Sequence, residues 1–149
     1  MFLRIVPEKV PIFWNLVKPG LLLSQNMMAT SSWHSSNIVL EKCLCGEMQL
    51  WLAFGETLED YVGFVVTYLW HNPFDKSTSL FIYLIYGYSE IPPIIFTQGL
   101  DAIASYAKKR NCVTITFISP RKGLGDMVTK VFGNTVRSET FYIVDMKED

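Results

Sequence analysis

Leu80-Phe81-Ile82-Tyr83-Leu84-Ile85-Tyr86-Gly87-Tyr88 is the stretch on which the fold turns. It carries no charge and follows turn chemistry at Asn72-Pro73 and Asp75. Its odd and even positions are alike apolar or aromatic. A strand alternates its side chains between two faces, so both faces here need cover, and the strand belongs inside a sheet. Upstream, Tyr61–Trp70 holds β-branched Val62, Val65, Val66 and Thr67, which favour a second strand. Before it, Met48–Phe54 is a third strand, closed by Gly55 and the acidic turn 55–60. Short connections make these three an antiparallel meander.

Downstream the period changes. Leu100, Ile103, Ala104 and Ala107 fall at i, i+3, i+4 and i+7, one face of a helix. Thr97 is its expected N-cap, and Lys108-Lys109-Arg110 place cations where the helix dipole favours them. Val113–Ile118 alternates as a strand. Leu124, Met127, Val128, Val131 and Phe132 form a second helical stripe ended by Gly133, and Thr140–Met146 reads as a last strand. The class is α+β (mixed α/β): a central mixed sheet with an antiparallel meander followed by α-β-α-β, and helices on both faces.

The first 36 residues are less legible. Leu3–Val6 reads as a short strand ended by Pro7, which fits the first turn of a helix. That helix is expected to stop at Pro19-Gly20. The Ser-, Thr- and Asn-rich stretch 27–37, around Trp33 and His34, reads as a loop. Ser35 or Ser36 would then cap a short helix over 37–45, closed by Gly46.

The chain has 149 residues, half of them hydrophobic and 18% charged, which suits one folded domain: a segment 1–36, a core 37–146 and a charged tail 147–149. The net charge of −1 and the dispersed basic residues give no footprint for nucleic acid. No apolar run approaches the roughly 18 residues of a membrane span, and the N-terminus lacks the layout of a signal peptide, so the expected product is intracellular or packaged in a virion. Cys43, Cys45 and Cys112 are an odd set with too few accompanying ligands, His34 and His71, for a metal centre; they are expected to be buried reduced thiols.

Several motifs resemble the GNAT acetyltransferases. Glu47–Ala53 followed by Tyr61-Val62-Gly63-Phe64-Val65-Val66 is similar to the hairpin of that fold. Ile103–Cys112 is similar to the end of its cofactor-side helix, and Lys130-Val131-Phe132-Gly133 to the turn before its final strand. The opening Gly46-Glu47-Met48-Gln49-Leu50-Trp51 resembles a bacteriophage-encoded subgroup that includes internal virion proteins. The resemblance implies acetyl-CoA as the cofactor of an active member, held by a Gly-rich loop before a helix, where backbone N–H groups meet the pyrophosphate.

The corresponding stretch here is Ser89-Glu90-Ile91-Pro92-Pro93-Ile94-Ile95-Phe96-Thr97-Gln98-Gly99. The expected glycine positions fall near Pro92, Ile94 and Phe96. Proline brings no N–H, no Lys or Arg lies in the stretch, and Glu90 repels a phosphate. What remains as a cofactor-binding set is Tyr86, Gly87 and Tyr88 at the strand end with Thr97, Gln98 and Gly99 at the expected helix start. Catalytic candidates are Tyr88 as a phenol and Glu90 as a carboxylate base. The tyrosine acid common in the resembled family would fall at Thr129, a far poorer acid. Arg121-Lys122-Gly123-Leu124-Gly125 reads as an ordinary loop-to-helix junction. Two readings stand: a degenerate GNAT-like protein that binds another phage or host protein without cofactor, or an active acetyl-CoA-dependent N-acetyltransferase on an amine.

Overall fold

The computed structural model describes residues 1–25, 32–88, 90–117, 122–137, 144 and 146. Contacts divide the chain into two compact units, Met1–Ile118 and Ser119–Asp149. The first holds β1 (Phe2–Ile5), α1 (Val10–Gln25), α2 (Ser32–Leu44), β2 (Met48–Phe54), β3 (Tyr61–His71), β4 (Thr78–Gly87), α3 (Pro93–Lys109) and β5 (Cys112–Phe117). The second holds α4 (Lys122–Phe132), where Val128 is buried, and a short 3-10 turn at Gly133, whose φ of +63° favours glycine.

The sheet runs β1-β2-β3-β4-β5. Its first four strands are antiparallel, and β5 lies parallel to β4. A parallel neighbour requires a crossover, and α3 supplies it. The strand expected inside the sheet is therefore found there, between β3 and β5. Val66 lies opposite Leu84 and Thr67 opposite Ile82, so Tyr83 is an extra residue bulged out of β4.

Alternation along the strands sorts the core into two layers. On one face α1 and α2 bring Val10, Trp14, Val17, Leu21, Val39 and Cys43 against Leu50, Leu52, Phe54, Phe64 and Val66. On the other, Ile95, Leu100 and Ile103 of α3 close over Phe2, Ala53, Val65, Ile82 and Ile85, leaving a cavity of about 30 Å³. Each fully buried aliphatic side chain contributes about 1.5–3 kcal/mol. Tyr106 of α3 meets Trp51 edge-on at 5.5 Å, and the guanidiniums of Arg4 and Arg110 lie 5.0 and 5.3 Å from its ring centre. Under α3 a buried polar chain is satisfied: Trp51 Nε1 donates to Thr67 Oγ1 at 2.9 Å, and that hydroxyl donates to Gln49 Oε1 at 2.9 Å.

Three expectations need correction. First, α1 does not stop at Pro19-Gly20 but runs on to Gln25. Val10, Trp14, Val17 and Leu21 form one buried stripe that spans the proline, and their burial outweighs the lost ladder bond. Second, α2 begins at Ser32, inside the stretch read as a loop, and Ser36 is a buried position within it rather than a cap. Third, α3 begins at Pro93 with Pro92 as N-cap, so Thr97 sits one turn inside the helix and donates to Pro93 O at 3.0 Å. Proline fits a first helical turn, and that preference decides the boundary.

Of the cysteines, Cys43 is buried, Cys112 half-buried and Cys45 exposed. Buried thiols were expected at all three, but Cys45 lies just past the end of α2. The strand expected over 140–146 lies outside the described residues except for Val144 and Met146, as does Ile118. No helix among the described residues is long and apolar enough to cross a membrane.

Candidate functional site

The candidate site forms where β4 ends beside α1. Tyr88 extends the β3 ladder by donating its N–H to Val62 O at 2.9 Å. Gly63 and Gly87 face each other across the same ladder. A Cβ on Gly63 would run into the backbone carbonyl oxygen of Tyr86, so no larger residue fits there. The rings collect on the α1 face. Tyr86 stacks on Phe64 with centres 5.7 Å apart, and Tyr88 meets Tyr86 at 4.9 Å and Tyr61 at 5.3 Å.

The Tyr88 hydroxyl reaches into helix α1. It accepts the Gly20 N–H at 2.9 Å and donates to Leu16 O at 2.5 Å. Gly20 and Leu16 stand four residues apart, the spacing at which an α-helix pairs its own N–H and C=O groups. Tyr61 also points its hydroxyl at Leu16 O, 3.4 Å away. Gly20 permits this approach: a Cβ there would lie 2.6 Å from Phe64 Cε1 and 2.7 Å from the Tyr88 oxygen. Burial raises the Tyr88 pKa although the Gly20 N–H pulls it down. Burial also pushes Tyr61 well above the usual phenol range, helped by Tyr88 beside it. Both phenols are therefore held protonated, and that of Tyr88 is already committed to a carbonyl.

Between β4 and α3 the donors are few. Pro92 and Pro93 have no N–H, and the amides of Ile95 and Phe96 both point at Pro92 O, at 3.0 and 3.1 Å. Ile94 carries the first-turn N–H outside these bonds. Glu90 is exposed in the loop. Pairing of β4 with β5 among the described residues runs from Thr78↔Cys112 to Ile82↔Phe117, while β4 continues to Gly87.

The sequence-derived candidates divide across the sheet. Tyr86 and Tyr88 stand with the α1 layer. Gly99 is buried on the α3 side, where a Cβ would come 3.1 Å from the Phe2 ring, and Thr97 and Gln98 are exposed on α3. Thr129 is exposed on α4 with its hydroxyl bonded to Gly125 O at 2.9 Å. Among the described residues no His, Cys, Asp and Glu gather in a set that could hold a metal. Sequence reading missed Leu16, Pro19 and Gly20; the stripe Val10-Trp14-Val17-Leu21, continuing past the proline, was the signal that could have found them.

No protein-family model matches the chain, and no curated protein matches it. Solved structures do. An aminoglycoside acetyltransferase from an uncultured soil metagenomic sample, in complex with sisomicin, matches with a TM-score of 0.73 at 12% identity, over 99% of this chain and 96% of that one. A predicted acetyltransferase from Clostridium acetobutylicum, solved with acetyl-CoA, matches with a TM-score of 0.68 at 15% identity, over 99% and 95%. A ribosomal-protein-alanine N-acetyltransferase from Brucella melitensis biovar Abortus 2308 matches with a TM-score of 0.64 at 16% identity, over 98% and 99%. Identities this low speak for architecture: the chain has the GNAT acetyltransferase fold.

Proposed function

We propose that this chain is a GNAT-fold protein with a degenerate acetyl-CoA loop, working by binding another protein rather than by acetyl transfer. The observation that carries the reading is the start of α3. A pyrophosphate needs several converging N–H donors or a cation. This helix opens on Pro92-Pro93, turns the Ile95 and Phe96 amides onto Pro92 O, and has Glu90 in the loop before it. The residues present do not fit the phosphates of acetyl-CoA. The Gly46–Trp51 motif supports a phage-encoded origin, with a partner in the virion or in the host cytoplasm. A loop-repair variant, Glu90→Arg with Pro92→Gly, tests the reading. It should bind acetyl-CoA at least tenfold more tightly than the parent chain; equal affinity would contradict the role given to the loop.

A second reading, an active N-acetyltransferase on an amine, is favoured by one observation. The strand β4 runs on past its last described pair with β5, and a gap between those strands is where the resembled enzymes seat the pantetheine arm. Tyr86, Gly87, Tyr88, Thr97, Gln98 and Gly99 would then be the cofactor-binding residues. In that case the parent chain binds acetyl-CoA in the micromolar range and the repair adds little.

A further inference from the structure

We infer that the outer edge of β1 takes an extended acidic segment of a partner protein as an added strand, with Arg4 and Arg110 receiving its carboxylates. The inference rests on the protein-binding reading above and names the chemistry of the partner. Two independent observations carry it. The first is the backbone. Among the described residues β1 is an end strand of the sheet and pairs with β2 alone. Phe54 N–H bonds Met1 O at 2.7 Å, which fixes the phase of that ladder. Residues of an antiparallel pair alternate between bonding the partner strand and facing away from it. Phe2, opposite Ala53, and Arg4, opposite Trp51, therefore turn their N–H and C=O groups outward. Such an open row is a template for another strand.

The second observation is charge. The guanidiniums of Arg4 and Arg110 lie 5.0 and 5.3 Å from the centre of one ring, that of Tyr106. The two therefore stand within about 10 Å of each other, one screening length at about 0.1 M salt. Lys108 and Lys109 are exposed in the last turn of α3 beside them. Among the described residues neither guanidinium has a carboxylate partner; the ion pair found there is Lys42–Glu47. The ring itself is fixed, since Tyr106 meets Trp51 edge-on, and buried Trp51 stacks on Phe2 at 5.5 Å. Cations resting on a fixed ring lose less freedom on binding than free arginines do.

Both features lie on one side of the sheet. Arg4 and Tyr106 meet on the α3 face, so a residue set opposite Arg4 on an added strand presents its side chain to the same guanidiniums. The next residue along lies beside exposed Leu3 on the other face. The segment that fits alternates acidic and apolar residues. A second copy of this chain is a poor occupant, because pairing β1 with β1 brings cations against cations.

The test is binding of a labelled six-residue peptide that alternates glutamate and valine, followed by fluorescence anisotropy. A lysine–valine peptide of the same length should bind at least tenfold more weakly. So should the acidic peptide N-methylated on its glutamates, whose N–H groups would face Arg4. Arg4→Gln combined with Arg110→Gln should weaken the acidic peptide at least tenfold. A further readout needs no variant: saturating peptide should slow amide exchange at Phe2 and Arg4 at least tenfold, and more than at Leu3 and Ile5, which face β2. No binding, equal affinity for the acidic and basic peptides, undiminished affinity of the double variant or the methylated peptide, or unchanged exchange at Arg4 each overturns the inference. So does a single-stranded oligonucleotide binding at least tenfold more tightly than the acidic peptide, which would assign these cations to phosphates. Acetyl-CoA enters none of these measurements, so this inference fails on peptide binding and the reading it rests on fails on cofactor binding.

Discussion

Replacing Gly20 with Ala tests the close approach between α1 and the sheet. In an exposed helix this change stabilises by about 1 kcal/mol. Here the added methyl would lie 2.6 Å from Phe64 Cε1, 2.7 Å from the Tyr88 oxygen and 2.8 Å from Tyr86 Cδ1, all below van der Waals contact. Phe64 is 1% exposed and lies in the main core, so it cannot swing out to solvent to make room. Overpacking of this kind costs about 1–3 kcal/mol. Displacing the Tyr88 oxygen weakens two hydrogen bonds, each contributing about 1 kcal/mol. Set against the helix-propensity gain, the balance is a loss of about 2 kcal/mol. With a urea slope of about 2 kcal/mol per molar, the midpoint should fall by about 1 M. Gly123→Ala on α4, where nothing lies within 4 Å of the new Cβ, is the control and should not lower the midpoint. A Gly20→Ala midpoint equal to or above the parent's would refute the close approach.

Thr67→Val removes the hydroxyl that joins Trp51 to Gln49 while keeping the volume, leaving two buried groups unpaired. It should cost about 2–4 kcal/mol, read as a lower urea midpoint with unchanged slope. Ile103 is 2% exposed between α3 and the sheet. Ile103→Asp buries an unpaired charge there and should cost about 4 kcal/mol or more, seen as loss of cooperative thermal unfolding at 37 °C. Burial pushes the Cys43 thiol up to about 12 from an ordinary 9.0. Iodoacetamide at pH 8 should therefore alkylate exposed Cys45 first and Cys43 only after unfolding, as read by peptide mass. The unfolded chain gives up this proton first, so the Cys43 contribution to stability is complete below pH 9 and declines as pH rises toward 12.

The strands were legible because their signals are local. Val62, Val65, Val66 and Thr67 mark β3 within a few residues, and the uncharged run from Leu80 places β4 inside the sheet. The helices were less so, because two of their boundaries rest on competing rules. Pro92-Pro93 is loop-like as a pair yet fits an N-cap and first turn, and Ser32–Ser36 is loop-like in composition yet helical. At Pro19-Gly20 the punctuation was read as a stop, whereas the buried stripe Val10-Trp14-Val17-Leu21 carries the helix on to Gln25. The Tyr88 oxygen that meets Gly20 lies 68 residues away, which no local window contains. In the candidate site, the missing loop glycines and cation could be read from residue types alone. The use of Tyr88 could not, since its hydroxyl acquires a role only when β4 and α1 meet.

The central claim concerns the phosphate end of the cofactor, and calorimetric titration of the parent chain with acetyl-CoA addresses it most directly. Each missing charge-assisted hydrogen bond forfeits about 1.5–3 kcal/mol. Losing two shifts affinity by about a hundredfold to ten-thousandfold, since every 1.4 kcal/mol is about tenfold. The residual attraction of a helix N-terminus returns only about 0.3–1 kcal/mol. The expected result is no measurable heat up to high-micromolar acetyl-CoA, or a dissociation constant near millimolar. A dissociation constant in the low micromolar range would contradict the degenerate loop and establish the enzyme reading in its place.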